Sequence, residues 1–175
     1  NLAVTDALRT IYYDPPKRNS VFSKKQLWMH SVIVAICSKM VAEQFFGVNG
    51  DDVYLAGILH DFGLVIEEQV EEIVFHTICN TCTSSASLIE LEREAFGTTH
   101  CEIGYSMTLN WNLPEDTMAA IREHHTIISD LEPSSLTGIL QISEYIANQL
   151  SYATLPDIAT VVSPHLLDQF EENKD

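Results

Sequence analysis

The residues of this chain best suited to chemistry are one His-Asp dipeptide and four further histidines. The dipeptide, His60-Asp61, follows an apolar run at residues 55–59. The other histidines lie on apolar segments with helical spacing, and they are His30, His100, His124 and His125. Burying an imidazole or a carboxylate is costly unless the group is paired, hydrogen-bonded or bound to a metal. We therefore interpret these residues as parts of one buried site.

A divalent metal is the partner that would satisfy this set of side chains most simply. A single histidine of this kind is more often a core residue satisfied by a hydrogen bond. For the whole set that explanation is weaker, because several imidazoles and the carboxylates of Asp61 and Glu144 each need a partner. One or two ions would satisfy them together, and Fe, Mn, Zn, Ni or Mg suit such ligands to different degrees. Spacing alone does not show that the side chains meet.

The composition indicates a globular domain with a strongly acidic balance. The chain has 175 residues, of which 46% are apolar, and its formal net charge is −16. This charge argues against a nucleic-acid partner, since binding to phosphate backbones needs Lys and Arg. No segment approaches the roughly 20 apolar residues that cross a membrane. The acidic clusters at residues 67–72, 90–94 and 171–172 predict solvated helix faces.

Cysteine usage favours a reducing compartment. Cys79 and Cys82 have CxxC spacing, but no second CxxC follows and no βαβ pattern surrounds them. A zinc or redox site at this motif is therefore the less favoured alternative. Together with Cys37 and Cys101, these residues are expected to be reduced thiols in a cytoplasmic protein.

Helical periodicity and the absence of convincing alternating segments predict an all-α fold of about seven helices joined by short loops. Residues 1–22 are expected to form a short N-terminal helix, at residues 2–13, and a Pro-containing loop. Residues 23–175 are expected to form one helical domain. Because the chain opens at Asn1 without a methionine, we expect a longer N-terminal segment upstream.

Cap and turn residues predict the boundaries of the individual helices. A long first helix is expected from about Ser23 to Gly47, on the evidence of apolar positions at Trp28, Val32, Ile36, Met40 and Phe45. The other expected helices run from Asp51 through His60 to about Gly63, over residues 64–77, over residues 88–96, from Thr98 or Thr99 to Trp111, from residues 112–116 through His125, over residues 136–150, and after Pro164.

Several separate motifs, taken in order, resemble the HDOD branch of the HD-domain superfamily. They are His30, GILHDFG at residues 57–63, ELERE at residues 90–94, HCEIG at residues 100–104, WNLPE at residues 111–115 and AIREHH at residues 120–125. The resemblance covers residues 27–150, and the order of its motifs makes it specific where a lone His-Asp pair would be weak. It implies an all-helical HD bundle.

The resemblance also implies a set of metal ligands. Catalytic relatives hold one or two metals with residues that match His30, His60, Asp61 and, at the position of a later aspartate, Glu144. In the related HD-GYP phosphodiesterases two further histidines hold a second metal, and they match His100 and one of His124 or His125. The implied chemistry is attack of metal-activated water on a phosphoester, with His60 and Asp61 as catalytic residues.

The sequence departs from the catalytic pattern at three places, of which the first concerns the metal ligands and the other two favour loss of substrate binding. Glu144 replaces an aspartate with a carboxylate one methylene longer. Leu64 stands where HD-GYP enzymes carry a lysine suited to substrate phosphate. The Gly-Tyr-Pro signature is absent, since residues 126–130 take its place. The resemblance therefore disfavours a phosphodiesterase acting on cyclic di-GMP.

Three functions follow from these observations. The favoured one is a signal-transduction module of the bacterial HDOD type, with a degenerate metal site, that acts through contacts with a signalling protein. The alternative is a metal-dependent phosphohydrolase acting on a nucleotide or another phosphoester. A third is an oligomerising scaffold without metal, in which the imidazoles pair among themselves or with Glu123 and Glu144. Each of these three functions is compatible with a homodimer.

Overall fold

The chain folds into a bundle of helices, as its periodicity predicts. The computed structural model describes residues 21–156 and 158–172. Within these residues the helices are α1 (Lys24–Gln44), α2 (Asp51–Leu59), α3 (Phe62–Val70), α4 (Glu72–Thr81), α5 (Ser85–Phe96), α6 (His100–Thr108), α7 (Glu115–Glu123), α8 (Leu136–Gln149) and α9 (Pro164–Glu172). Over the same residues the only β-type pairing is one isolated bridge between Ser84 and Ala159. The predicted all-α class is confirmed.

Side-chain caps fix several helix starts where the sequence signals them. The side chains of Ser23, Thr99 and Ser135 each accept a hydrogen bond from a backbone N–H in the first turn of α1, α6 and α8. Such caps satisfy donors that have no partner within the helix. Gly97 ends α5 with a left-handed φ of 72°, a conformation that glycine adopts without steric cost.

The His-Asp dipeptide lies at a break between two helices, whereas we expected one helix to pass through His60 to about Gly63. Helix α2 ends at Leu59 and α3 begins at Phe62. His60 Nδ1 donates to the carbonyl of Gly57, 2.8 Å away. The dipeptide therefore joins two helices. Because Asp61 lies beyond the end of α2, the axis of α2 does not fix the orientation of its side chain.

Other expected boundaries also shift. The predicted helix over residues 64–77 is divided at Glu71, whose backbone is extended (φ −148°, ψ 75°). Helix α6 stops at Thr108, before Trp111, and α7 stops at Glu123, before His125. Both sides of the break at Glu71 have helical composition, so local periodicity does not detect it. The predicted helix at residues 2–13 and the loop after it lie outside the described residues.

Helix α1 lies at the centre of the packing, against α2 and α8. Its buried face carries Leu27, Val34 and Val41 together with small residues. Of the apolar positions that predicted this helix, Trp28 and Val32 are partly buried against the core, whereas Ile36 and Met40 are about half exposed. The predicted apolar stripe therefore coincides only in part with the buried face, because small and polar residues such as alanine, serine and histidine occupy much of that face.

Two glycines let neighbouring helices approach closely around the dipeptide. A Cβ on Gly57 would overlap the backbone of Ala35 in α1, and a Cβ on Gly63 would overlap the backbone of His100 in α6. The packing of α3 on α6 therefore depends on the absence of a side chain at Gly63.

Among the described residues, none of the helices combines the length and the apolar composition that a membrane span requires.

Candidate metal centre

Asp61 stands between two groups of imidazoles and faces one with each carboxylate oxygen. Oδ2 lies 3.3 Å from Nε2 of His60 and 3.6 Å from Nε2 of His30. Oδ1 lies 3.4 Å from Nε2 of His100 and 3.5 Å from Nε2 of His124. All five side chains are buried. The carboxylate therefore bridges two sets of nitrogen ligands inside the bundle.

Four regions of the fold supply these side chains. Helix α1 carries His30, and the α2–α3 junction carries His60 and Asp61. His100 is the first residue of α6, and residues 124–125 follow the last residue of α7. Because these elements are far apart in sequence, only the packing of the bundle brings the ligand atoms together.

Backbone carbonyls orient the two imidazoles of the first group. His30 Nδ1 lies 2.5 Å from the carbonyl oxygen of Tyr152, and His60 Nδ1 lies 2.8 Å from that of Gly57. A carbonyl only accepts, so both Nδ1 atoms carry the hydrogen and both rings present Nε2 to the site. Burial is the main reason why the pKa of His30 falls to about 4. His30 is consequently neutral at pH 7, with a free lone pair on Nε2.

The second group is oriented in the same way. His124 Nδ1 donates to the carbonyl of Ile121 at 2.7 Å, and His100 Nδ1 donates to the carboxylate of Glu92 at 2.8 Å. Glu92 is fully buried and also accepts from the backbone N–H of His100, at 3.0 Å. Such outer partners fix the tautomer and the ring orientation of metal-binding histidines.

The nitrogen atoms presented to the site face one another at short distances. Nε2 of His30 lies 3.2 Å from Nε2 of His60, and Nε2 of His100 lies 3.3 Å from Nε2 of His124. In the first pair, with the hydrogens held on Nδ1, two lone pairs face each other, an arrangement that is repulsive unless a proton or a cation lies between them. The short distances between these nitrogen atoms therefore indicate that the set of side chains fits a bound metal ion.

Two groups of ligand atoms are compact enough to hold an ion. In each group the atoms lie within 4.8 Å of one another; the first is His30, His60 and Asp61, and the second is Asp61, His100, His124 and His125. Imidazole nitrogen with a single carboxylate suits zinc, iron or nickel better than magnesium. A divalent ion held by these residues would supply activation of a water molecule and neutralisation of charge on a phosphoryl group.

Glu144 lies beside these two groups and outside both. One of its oxygens is 3.7 Å from Nε2 of His125. Its other oxygen and Nδ1 of His125 are buried without a hydrogen-bond partner among the described residues. Burial raises the pKa of Glu144 to about 7. The structure thus places Glu144 next to the cluster, and its role as a metal ligand stays a prediction.

Several residues around the site escaped the sequence analysis. Glu92 lies in a cluster that we expected to be solvated, and that expectation is wrong for Glu92, Glu67 and Glu68, which are buried. The spacing held a signal, since Glu92 follows the core residue Leu88 by one helical turn. Thr154 was also missed, and its hydroxyl donates to Oδ2 of Asp61.

Cys101 also lies within the second group. Its Sγ is 3.5 Å from Nε2 of His100 and 3.7 Å from Nε2 of His124. The CxxC cysteines, Cys79 and Cys82, are buried elsewhere, and all four cysteines have free thiols.

The sequence matches the HDOD domain family over residues 1–127, more than half of the chain. The chain belongs to the HDOD family. The resemblance inferred from the ordered motifs is therefore confirmed. No curated protein gives a significant match.

Solved structures share the HDOD fold of this chain. A protein from Shewanella amazonensis SB2B, provisionally named a phosphohydrolase, is 21% identical, with a TM-score of 0.66 over 86% of this chain and 54% of its own. An HDOD domain protein of unknown function from Geobacter sulfurreducens is 25% identical, with a TM-score of 0.61 over 86% and 49%. A protein from Marinobacter aquaeolei VT8, provisionally named a signal-transduction protein, is 19% identical, with a TM-score of 0.71 over 98% and 41%.

This HDOD chain spans about half the length of those solved proteins, as the shares of 54%, 49% and 41% state. Their names differ in the function they give, one pointing to hydrolysis and another to signalling. The choice between these functions for the present chain therefore depends on its own site.

Proposed function

We propose that this chain is a regulatory HDOD module that holds one or two divalent ions inside a closed helical bundle and acts through contacts with a signalling protein. The observation that carries the proposal is the cover over the first group of ligands. That cover consists of the chain after α8, residues 150–156, which we name the roof segment.

The roof segment is bound directly to the ligands beneath it. The carbonyl of Tyr152 accepts from His30, and the hydroxyl of Thr154 donates to Asp61. The carbonyl of Ala153 also accepts from the side chain of Gln26, at 3.0 Å. These bonds hold the roof segment on the two helical elements that carry the first group.

The cavity beneath the roof segment is too small for a phosphoester substrate. Its volume is about 20 Å³, and its walls include His30, Asp61, His125, Glu144 and Thr154. A cavity of this size holds about one water molecule, whereas sites for small organic ligands occupy roughly 300–1,000 Å³. The first ion would therefore be enclosed, which suits a structural or regulatory site.

The wall of this cavity also lacks a group for substrate phosphate. Leu64, at the position where the resemblance to HD-GYP enzymes implies a lysine, is fully buried and lines the cavity. A net charge of −16 gives the protein a field that repels anionic substrates. Both features favour protein contacts over phosphoester turnover.

The surface of α1 offers apolar area for a protein partner. Met29, Ile36 and Met40 are about half exposed, and their spacing of seven and four residues places them on one face of the helix. Exposed apolar rows of this kind are typical of interaction surfaces.

A second candidate function, phosphoester hydrolysis, is favoured by one cleft beside the second group. The cleft has a volume of about 450 Å³, and Cys101 and His125 line it together with Arg93 and Arg122. These are the two arginines of the described residues. Each is already paired with a glutamate, since Arg93 contacts Glu102 at 3.3 Å and Arg122 contacts Glu123 at 2.7 Å.

Metal analysis and a hydrolysis assay on the same protein test the proposal. Protein purified without added metal is expected to contain one or two equivalents of a divalent ion, and His60→Ala to contain fewer. With Mn²⁺, Fe²⁺ or Zn²⁺ supplied, wild type and His60→Ala are expected to show equal, background hydrolysis of cyclic di-GMP and nitrophenyl phosphoesters. Turnover that disappears in His60→Ala would establish the hydrolase instead. In that case Arg93→Ala with Arg122→Ala should raise KM more than it lowers kcat.

A further inference from the structure

One thiol lies among the ligand atoms of the second group. Sγ of Cys101 is 3.5 Å from Nε2 of His100 and 3.7 Å from Nε2 of His124, and these two nitrogens are 3.3 Å apart. The Nδ1 atoms of both rings are bonded outward, to the carboxylate of Glu92 and to the carbonyl of Ile121. The sulfur therefore contacts, in each ring, the nitrogen that is directed into the site.

The distances between these three atoms match those between ligands of one tetrahedral zinc ion. With Zn–N bonds of about 2.0–2.1 Å and a Zn–S bond of about 2.3 Å, tetrahedral angles separate two nitrogens by about 3.3–3.4 Å and a nitrogen from a sulfur by about 3.5–3.6 Å. The structure has 3.3 Å between the nitrogens, and 3.5 and 3.7 Å from them to the sulfur of Cys101. The three atoms therefore have the spacing of one face of a tetrahedral zinc site.

Asp61 places an oxygen next to the same two nitrogens. Its Oδ1 lies 3.4 Å from Nε2 of His100 and 3.5 Å from Nε2 of His124, and nitrogen and oxygen ligands of zinc are separated by about 3.3–3.5 Å. His125 belongs to this group as well, and its Nδ1 is buried without a hydrogen-bond partner among the described residues. The thiol thus lies in a cluster that already offers nitrogen and oxygen ligands.

Cys101 also stands at a position that suits a metal-binding thiolate. It is buried, it is the second residue of α6, and it lines the cleft beside the second group. The first turn of a helix favours negative charge, and the thiolate is the form of cysteine that binds metals. The cleft offers an ion a path from the surface towards the sulfur. Cys82, which is buried too, instead lies 3.6 Å from the carbonyl of Cys79.

We propose that Cys101 is a thiolate ligand of the second ion, beside His100, His124 and Asp61, and that its sulfur selects zinc at this position. Thiolate is a soft ligand that suits zinc, whereas manganese and magnesium prefer oxygen ligands. The ion displaces the proton of the thiol, which passes to the solvent. This inference rests on the proposed metal-holding function and adds to it the identity of one ion, since the ligands implied by the resemblance are histidines and carboxylates alone.

Titration of the metal-free protein with Co²⁺ tests whether sulfur binds the ion. A thiolate–Co²⁺ bond gives an intense charge-transfer band in the near ultraviolet, which nitrogen and oxygen ligands do not give. The first group contains no cysteine, so we expect the band to grow with only one of two bound equivalents. Cys101→Ser should lose the band, and Cys82→Ser, the control at another buried cysteine, should keep it. Cys101→Ala replaces Cys101→Ser if the latter does not fold.

Affinities for Zn²⁺ and Mn²⁺, measured by calorimetry, test the selection of the metal. In Cys101→Ser, Zn²⁺ binding at the second group should weaken by more than the roughly 10–100-fold that loss of an outer partner costs. Mn²⁺ binding there should change much less, because manganese gains little from a thiolate. A cysteine that only packs in the core would instead affect both metals alike. The ion at the first group reports that the variant is folded.

Two bound equivalents of Co²⁺ without the charge-transfer band would overturn the role of Cys101 and leave the metal-holding function intact. The thiol would then only form hydrogen bonds with the two histidines. A band that persists in Cys101→Ser, or equal losses of Zn²⁺ and Mn²⁺ affinity, would also overturn it. If the wild type binds neither Co²⁺ nor Zn²⁺, the metal-holding function fails, and the role of Cys101 fails with it.

Discussion

Replacing Asp61 by asparagine is the most direct perturbation of the proposed centre. The substitution keeps the volume of the side chain and removes its charge, in a residue whose two oxygens lie 3.3–3.6 Å from four imidazole nitrogens. The first group would be left with only two ligands, His30 and His60. The second group would keep three, namely His100, His124 and His125. We therefore expect loss of the first ion and weakening of the second.

The size of the effect follows from linkage between metal binding and folding. An ion present at 100 times its dissociation constant stabilises the folded state by about 2.7 kcal/mol, so two independent ions contribute about 5 kcal/mol. For a protein of this size 1 kcal/mol shifts Tm by about 2–4 °C, so the wild type should lose roughly 10–20 °C when a chelator removes both ions. In Asp61→Asn this chelator-dependent shift should fall by at least half.

Thermal unfolding with added Zn²⁺ and with chelator, together with elemental analysis, measures both expectations. Asp51→Asn is the matched control, because Asp51 is exposed on α2 and pairs with Lys39 at the surface. It should keep the wild-type metal content and the wild-type shift. The reasoning is refuted if Asp61→Asn retains two equivalents of metal, or if its Tm responds to chelator as strongly as that of the wild type.

Two further substitutions test the packing and the roof of the site. Gly63→Ala should destabilise the fold by about 1–3 kcal/mol, as overpacking does, and lower metal content, because the new methyl group overlaps the backbone of His100. Gly97→Ala is the control, because a Cβ at this position meets no neighbouring atom. It should unfold at a lower denaturant concentration than the wild type and keep its metal. Equal loss of metal in the Gly63 and Gly97 variants would contradict this reasoning. Thr154→Val should weaken binding of one ion about 10-fold or more by removing the hydrogen bond to Asp61, and Thr154→Ser should restore it. Calorimetry checks this pair, and equal affinities in Val and Ser would show that the hydroxyl has no role.

The helical class and most of the helices follow from local sequence signals. Ser23 and Thr99 cap the helices that they were expected to start, and Ser135 caps the helix expected over residues 136–150. Gly97 ends α5 as expected. These features act over one or two turns, and for that reason the sequence displays them directly. The break at Glu71 was missed because the segments on its two sides are both helical in composition.

The residues of the candidate site were harder to predict from local sequence signals. Burial cost pointed to His60 and Asp61, and the resemblance supplied the order of the other ligands. The sequence did not distinguish Glu92 from the exposed acids on either side of it, Glu90 and Glu94. Whether an acid faces water or a histidine depends on which helix covers it, and that is a property of the packed bundle.

The sequence by itself therefore determined that the chain forms helices, where most of them begin, and which side chains are too costly to bury singly. Only the tertiary structure decided that these side chains surround Asp61, that their Nε2 atoms face one another in pairs, and that the segment containing Thr154 closes over them. The physical reason is range: caps and periodicity act between residues a few positions apart, whereas the nitrogens of His30 and His60, 30 residues apart in sequence, come within 3.2 Å only after the helices have packed.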